Sequence, residues 1–223
     1  MALRTLDREA RAVAQALASG DLPAARRQVS HLVGRDTGAL DGAGVARAAV
    51  ESVAESSVDG VTAPLFFAAL GGGPLAMAYR AVNTLDSMVG HKDARHRDIG
   101  WASARLDDLL NWVPARLTGG LLVLSASLCG ENAGGGWRVS RRDRLKHASP
   151  NAGHPEAAVA GALGLRLGGP LSYGGEVQDK PWIGDGTAEA GAGDILRAMR
   201  LVHVAALLAL GLTLAVDMLI SYA

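Results

Sequence analysis

Three carboxylates, Glu51, Glu55 and Asp59, recur at i, i+4 and i+8. On a continuous helix that spacing lines them along one face over about 12 Å. No Lys or Arg stands four residues on to relieve their repulsion, so the row is either a solvated face or a cation site. A hard ion such as Mg²⁺, carried in with phosphate, is the natural partner. A second set is Arg80, Asn83 and Asp86 at successive i+3 steps, with Ser87 alongside. His91 follows, beside Lys92, Arg95, His96 and Arg97, and reads as a general base, a phosphate contact or part of an interfacial basic loop. A third set is Ser149-Pro150-Asn151-Ala152-Gly153-His154-Pro155-Glu156. It reads as a turn opening a helix at Pro155. The N–H groups there suit a phosphate or carboxylate, and an ordinary cap would look much the same. Cys129 ends an apolar run with no histidine close in sequence and reads as a packed thiol.

These groups must be positioned by the segments around them. Residues 79–111 are dense in polar groups, among them Arg80, Asn83, Asp86, His91, Arg105, Asp107 and Asp108. They lie between apolar runs at 61–77 and 117–128. A polar segment wedged there faces a cavity or a membrane surface. Residues 7–18 and 22–32 predict two short amphipathic helices, the second opened by Pro23. A long helix is predicted over 44–59. The run 61–77 is interrupted by Gly71-Gly72-Gly73-Pro74, which predicts two half-spans or a re-entrant turn. Residues 117–128 are short for a span unless extended back to Trp112. Residues 131–150 read as a Gly- and Arg-rich loop. Residues 155–167 predict a helix in which Gly164 and Gly168 are either a close-contact pair or an ordinary stop. Residues 171–193 read as a loop, with no strand-like alternation. Residues 201–223 make an apolar helix of about 33 Å, long enough to cross a bilayer. Arg197 and Arg200 precede it and place that end, with the main loops, in the cytoplasm.

Composition narrows the classes. The chain has 223 residues, 49% of them hydrophobic, with 29 Gly and few aromatics, which suits closely packed helices. Lys plus Arg number 22 and Asp plus Glu number 22, so nothing marks a nucleic-acid binder. One cysteine excludes an internal disulfide and a cysteine-based zinc site. No basic start followed by an apolar core marks a signal peptide at the beginning of the sequence. The expected fold is all-α: a polytopic helical membrane protein with cytoplasmic loops and short amphipathic helices. Its segments are an amphipathic stretch at 1–33 and a helical membrane domain at 34–223.

Five blocks carry a resemblance: GRDT at 34–37, VESVAESSVDGVTAPLF at 50–66, YRAVNTLDSMVGH at 79–91, GWASARLDDLLNWVPARLT at 100–118 and SPNAGHPEAAVAGALG at 149–164. In order and spacing they resemble the adenosylcobinamide-phosphate synthase family of cobalamin biosynthesis, called CobD or CbiB, from about Gly34 onward. Ser56 stands where that family's pattern has Asn. The family pattern also places further membrane spans ahead of Met1, so the chain reads either as one whose start is assigned too late or as a shortened member. The resemblance implies ATP-dependent amide formation between adenosylcobyric acid and (R)-1-amino-2-propanol or its O-phosphate, in a cell membrane. An unreactive carboxylate must be activated, most simply as an acyl phosphate, and then attacked by a free amine.

ATP and Mg²⁺ are the implied cofactors. The bilayer, the corrinoid and the aminopropanol are the implied partners, with a second copy of the chain or other corrin-assembly enzymes. Such chemistry assigns Glu51, Glu55, Asp59 and Asp108 to the metal. It assigns Arg35, Arg80, Arg105 and Arg116, with Asn83, Asn151 and Gly153, to substrate and phosphate. Asp86, His91 and His154 are left for catalysis, either histidine deprotonating the attacking ammonium. No Walker loop or ATP-grasp signature is visible. Two alternatives stand beside this reading: a non-catalytic, AmpE-like membrane sensor or regulator, and an ion-transporting bundle with too few spans.

Overall fold

A computed structural model describes residues 3–89, 97–173 and 176–221. Two helices form the centre. One is α3, Gly42–Ser57, opened by Asp41, whose side chain accepts from Gly44 N–H. The other is α8, Gly153–Leu163, every residue of which is buried. Their sequences explain this: α8 is a run of Ala, Val and Gly with almost no polar face, and α3 has the same small apolar residues interrupted by Arg47, Glu51 and Glu55. The amphipathic α1, Leu3–Ala18, and α2, Leu22–Val29, lay Leu6, Ala10, Val13, Ala25 and Val29 onto the same core as α3. Helix α6, Trp112–Leu128, and α7, Ala133–Asp143, flank α8. Helix α9, Ala192–Ser221, packs along α1, α3 and α6.

The loop expected over 131–150 is in large part α7. Three consecutive glycines do not prevent the helix, because Asn132 caps it by accepting from Gly135 N–H at 2.7 Å. The glycines also let α7 and α8 approach. A Cβ on Gly135 would meet the Gly161 carbonyl at 2.5 Å, and one on Gly161 would meet the Gly135 carbonyl at 2.3 Å. Gly161, not the Gly164/Gly168 pair, makes the close contact between helices; the close approach of Gly168 is to the Pro181 carbonyl. Gly164 has φ +69° and ends α8 as an ordinary left-handed stop. Residues 167–183 correct a second expectation, for they hold two antiparallel pairs. Strand β1, Leu167–Gly168, pairs with β4, Trp182–Ile183, and β2, Leu171–Tyr173, with β3, Glu176–Gln178.

The helix begun at α3 does not stop where predicted. It passes through one π-helical turn, Val58–Thr62, into α4, Ala63–Val89. At the predicted glycine break α4 kinks: Gly71 has φ −155° and Gly72 φ +65°, outside helical values, and Pro74 opens the second half. Helix α5, Arg97–Leu110, meets α6 at a 48° bend. Two helical runs, Gly42–Met88 and Ala192–Leu219, are long and apolar enough to cross a membrane, or three if the bent pair counts as one span. Arg197 and Arg200 lie inside α9 rather than ahead of it, and Arg197 pairs with Glu131 and Asp194.

Candidate functional site

The three carboxylates do not share one cavity. Asp59 sits in the π turn, where Tyr79 reaches it, rather than with Glu51 and Glu55. The latter two line a cavity of about 380 Å³ between α3, the turn before α8 and the β1–β4 region. Glu51 is fully engaged there. One oxygen pairs with Arg35, and the other accepts from Gly168 N–H at 2.8 Å. This locks the 34–37 loop and β1 to α3, so Glu51 positions the wall rather than offering a free ligand atom.

Two residues that the sequence reading did not assign complete the cavity. Glu156, from the first turn of α8, is buried. His147 brings Nε2 to 3.6 Å from Glu55 Oε1 and 3.8 Å from Glu156 Oε1. The three ligand atoms lie within 4.8 Å of one another. Burial, and then the charges of Glu55 and Glu51, hold the Glu156 carboxyl well above the usual carboxylate range, with Arg35 opposing. The ring of His147 has a fixed sense. Ser149 N–H donates to Nδ1 at 3.0 Å, so Nδ1 carries no proton and Nε2 does. An Nε2–H that faces two carboxylates cannot bind a metal without losing that proton. The oxygen donors of Glu55 and Glu156 therefore suit a hard cation such as Mg²⁺, while His147 Nε2 stays beyond hydrogen-bond distance of both. Lys146 and Lys180 also line the cavity and bring positive charge to it.

Asp59 belongs to a separate network. Tyr79 Oη donates to Asn111 Oδ1 at 2.9 Å and lies 3.4 Å from Asp59 Oδ1. Arg80 donates to the Asp59 carbonyl at 3.1 Å and to Asn83 Oδ1 at 3.2 Å. Asn83 and Asn111 both donate to Asp107, at 3.1 and 2.9 Å. The polar segment thus closes largely upon itself across α4, α5 and the π turn. Asp86 lies a turn beyond on α4; His91 lies outside the described residues. Arg105 is exposed and stacks over Trp101 at 5.9 Å.

The third set also divides. Asn151 is a clip: its Nδ2 donates to the Asp108 carbonyl at 2.8 Å, and its Oδ1 lies 3.5 Å from Arg116 Nη1. Asp108 is therefore held at the end of α5 and does not line the carboxylate cavity. The space left by Gly153 is taken by the Arg144 carbonyl, which a Cβ would meet at 2.2 Å, so backbone rather than ligand makes that close approach. His154 points away from Glu156 into a second cavity, with Arg116 and Arg144. One sequence signal for the missed acid existed. Glu156 is the only charge within GHPEAAVAGAL, a helix with no other polar face to place it on. His147 gave none, because its role comes from tertiary approach.

Comparison with known proteins agrees with the motif blocks and extends them forward. The family described as CobD/Cbib protein matches residues 1–202, so the similarity includes α1 and α2 and does not begin at Gly34. The cobalamin biosynthesis protein CobD of Klebsiella pneumoniae is 55% identical over 216 residues, 97% of this chain and 68% of that protein. The cobalamin biosynthesis protein CbiB of Salmonella typhimurium is 53% identical over 218 residues, 96% of this chain and 67% of its own length. The CobD of Geobacter metallireducens is 57% identical over 185 residues, covering 83% and 58%. This chain thus spans about two thirds of the length of the first two. No solved structure matches. The chain belongs to the CobD/Cbib protein family.

Proposed function

We propose that the chain acts in cobalamin biosynthesis at a membrane, forming the amide between adenosylcobyric acid and (R)-1-amino-2-propanol or its O-phosphate at the Glu55–His147–Glu156 cavity. The observation that carries this reading is the pairing of two clustered carboxylates with cationic neighbours in one cavity of about 380 Å³. A phosphate-activated carboxyl transfer needs both signs of charge side by side. Glu55 and Glu156 would hold Mg²⁺, which supplies charge neutralisation for ATP phosphates when bound. Lys180 lines the same space and would meet phosphate oxygens, while Lys146, which also lines it, is held by Asp143 at 2.8 Å. Among the described residues, His147 is the histidine that lines this cavity. A corrin ring is larger than the cavity, so its reacting carboxyl would enter while the macrocycle stays outside.

The test is product formation. The chain, and a version extended to the length of its relatives, would be incubated in membranes or nanodiscs with adenosylcobyric acid, the amine, ATP and Mg²⁺. Amidated corrinoid would be followed by mass spectrometry. Glu55→Gln and Glu156→Gln should each lower turnover about a hundredfold or more, as removal of a preorganised charge does. Folded protein that yields no product in either length, or turnover unmoved by both substitutions, would sink the proposal.

A further inference from the structure

The second cavity, about 270 Å³, is built from α6, α7 and the start of α8, and no residue lines both it and the carboxylate cavity. Arg116, Arg141 and Arg144 converge on it. Among the described residues no carboxylate is paired with any of the three; their recorded contacts are carbonyls, one side-chain amide and aromatic faces. Three like charges facing one small space repel, and a sequence keeps such a cluster stable most simply by giving it an anion. Two uncharged groups also reach it. Ser140 Oγ and His154 Nε2 are both buried and have no protein hydrogen-bond partner. His154 as a whole is only 8% exposed. A buried hydroxyl and a buried ring nitrogen without partners each cost free energy that a ligand would recover.

We propose that this cavity is a binding site for a phosphate group, held by Arg116, Arg141 and Arg144 with hydrogen bonds from Ser140 and His154. The site stands apart from the proposed reaction and does not depend on it. Phosphate fits better than a carboxylate, because three guanidinium groups and two further donors outnumber what two carboxylate oxygens can accept. The positive field is already felt inside the cavity: burial first, and then Arg116 and Arg144, push the His154 imidazole down to about 4. The ring is therefore neutral near pH 7 and carries one N–H. Trp137, exposed beside Arg141, and Trp112, stacked 4.1 Å under Arg116, stand at the rim. Arg and Trp together are what a headgroup layer selects, so the phosphate has two sources, a lipid headgroup or a soluble ester.

Isothermal calorimetry with inorganic phosphate, on the full chain in a phosphate-free detergent, tests the site. Saturable one-site binding is expected. Arg144→Gln and Arg141→Gln should each weaken it about tenfold or more. Gly120→Leu should do so without changing charge, since Gly120 lines the cavity and a Cβ there meets nothing within 4 Å. Arg138→Gln, an exposed charge on the same helix that does not line the cavity, should leave affinity within about twofold, as a screened surface charge does. Repeating the titration in phosphatidylglycerol and phosphatidylcholine nanodiscs separates the sources. Loss of phosphate binding only in phosphatidylglycerol assigns the site to a headgroup, and retained binding assigns it to a soluble ester. No saturable heat in detergent, or an Arg138→Gln loss equal to that of Arg144→Gln, would overturn the proposal.

Discussion

At the residue scale the acid that matters most is one that folding makes costly. Glu156 sits buried beside Glu55 and Glu51, and its carboxyl is held well above its ordinary value. A folded state that holds a proton which the unfolded chain releases loses stability as pH rises. The loss begins at the ordinary glutamate value, about 4.3, and continues until the raised folded value is passed. Glu156→Gln cannot ionise and removes that slope. The variant should melt near wild type at about pH 5 and above it at about pH 8, with the gap widening as pH rises. Thermal unfolding across that range checks it; a gap that shrinks with pH would reverse the sign. More stable and less active is the combination expected where a charge is kept for chemistry at the expense of the fold. Asp143 shows the opposite arrangement. It is buried but bound by Arg142 and Lys146 and accepts from Gly184 N–H at 2.9 Å, which holds it far below the usual range. It ties α7 to the β4 end and is structural.

At the element scale, glycine separates what the sequence discloses from what it conceals. Gly134, Gly135 and Gly136 look like a loop by propensity, yet α7 forms because the contact they permit with α8 outweighs a propensity cost of about 1 kcal/mol each. Gly161→Ala should therefore destabilise strongly, by about 3 kcal/mol or more, since a Cβ would meet the Gly135 carbonyl at 2.3 Å and Val139 Cβ at 2.8 Å. Gly164→Ala should cost about 1–2 kcal/mol, from its left-handed backbone alone. Gly134→Ala, exposed and with its nearest neighbour at 3.6 Å, should be neutral or slightly stabilising. Ranked melting temperatures of the three variants decide; a Gly161→Ala protein as stable as wild type would remove the close crossing of α7 and α8. The same contrast governs the site. Helix α3, the α4 break at Gly71-Gly72 and the apolar α9 are legible because local pattern dictates them. The engagement of Asp59 is not, because its partners Tyr79 and Arg80 arrive from α4. Nor is the meeting of His147 with Glu55, which depends on where the turn before α8 lands.

At the scale of the whole molecule the apolar surface is unevenly placed. Buried α3 and α8 make one end self-sufficient, while Leu70 and Met77 of α4 and Leu207, Leu214 and Leu219 of α9 stand exposed. The span-length run Ala192–Leu219 is about 42 Å as a helix, more than the roughly 30 Å of bilayer hydrocarbon. Part of it is committed to the protein core through Ile195, Met199 and Val202, which leaves the later turns for lipid. This makes a test whose sign differs between water and lipid. Leu207 and Leu214 are seven residues apart on one face, 68% and 54% exposed. If that face meets water, lysine at either position should change stability by no more than about 0.5 kcal/mol and favour solubility. If it meets hydrocarbon, each lysine should oppose insertion by about 2.5–3.5 kcal/mol near the middle of the span. We expect the wild-type chain to remain in the membrane pellet through carbonate extraction. The doubly substituted Leu207→Lys, Leu214→Lys chain should be lost from that pellet or degraded. Release of the wild-type chain into the supernatant, or a doubly substituted protein that extracts like wild type, would place this face against something other than lipid.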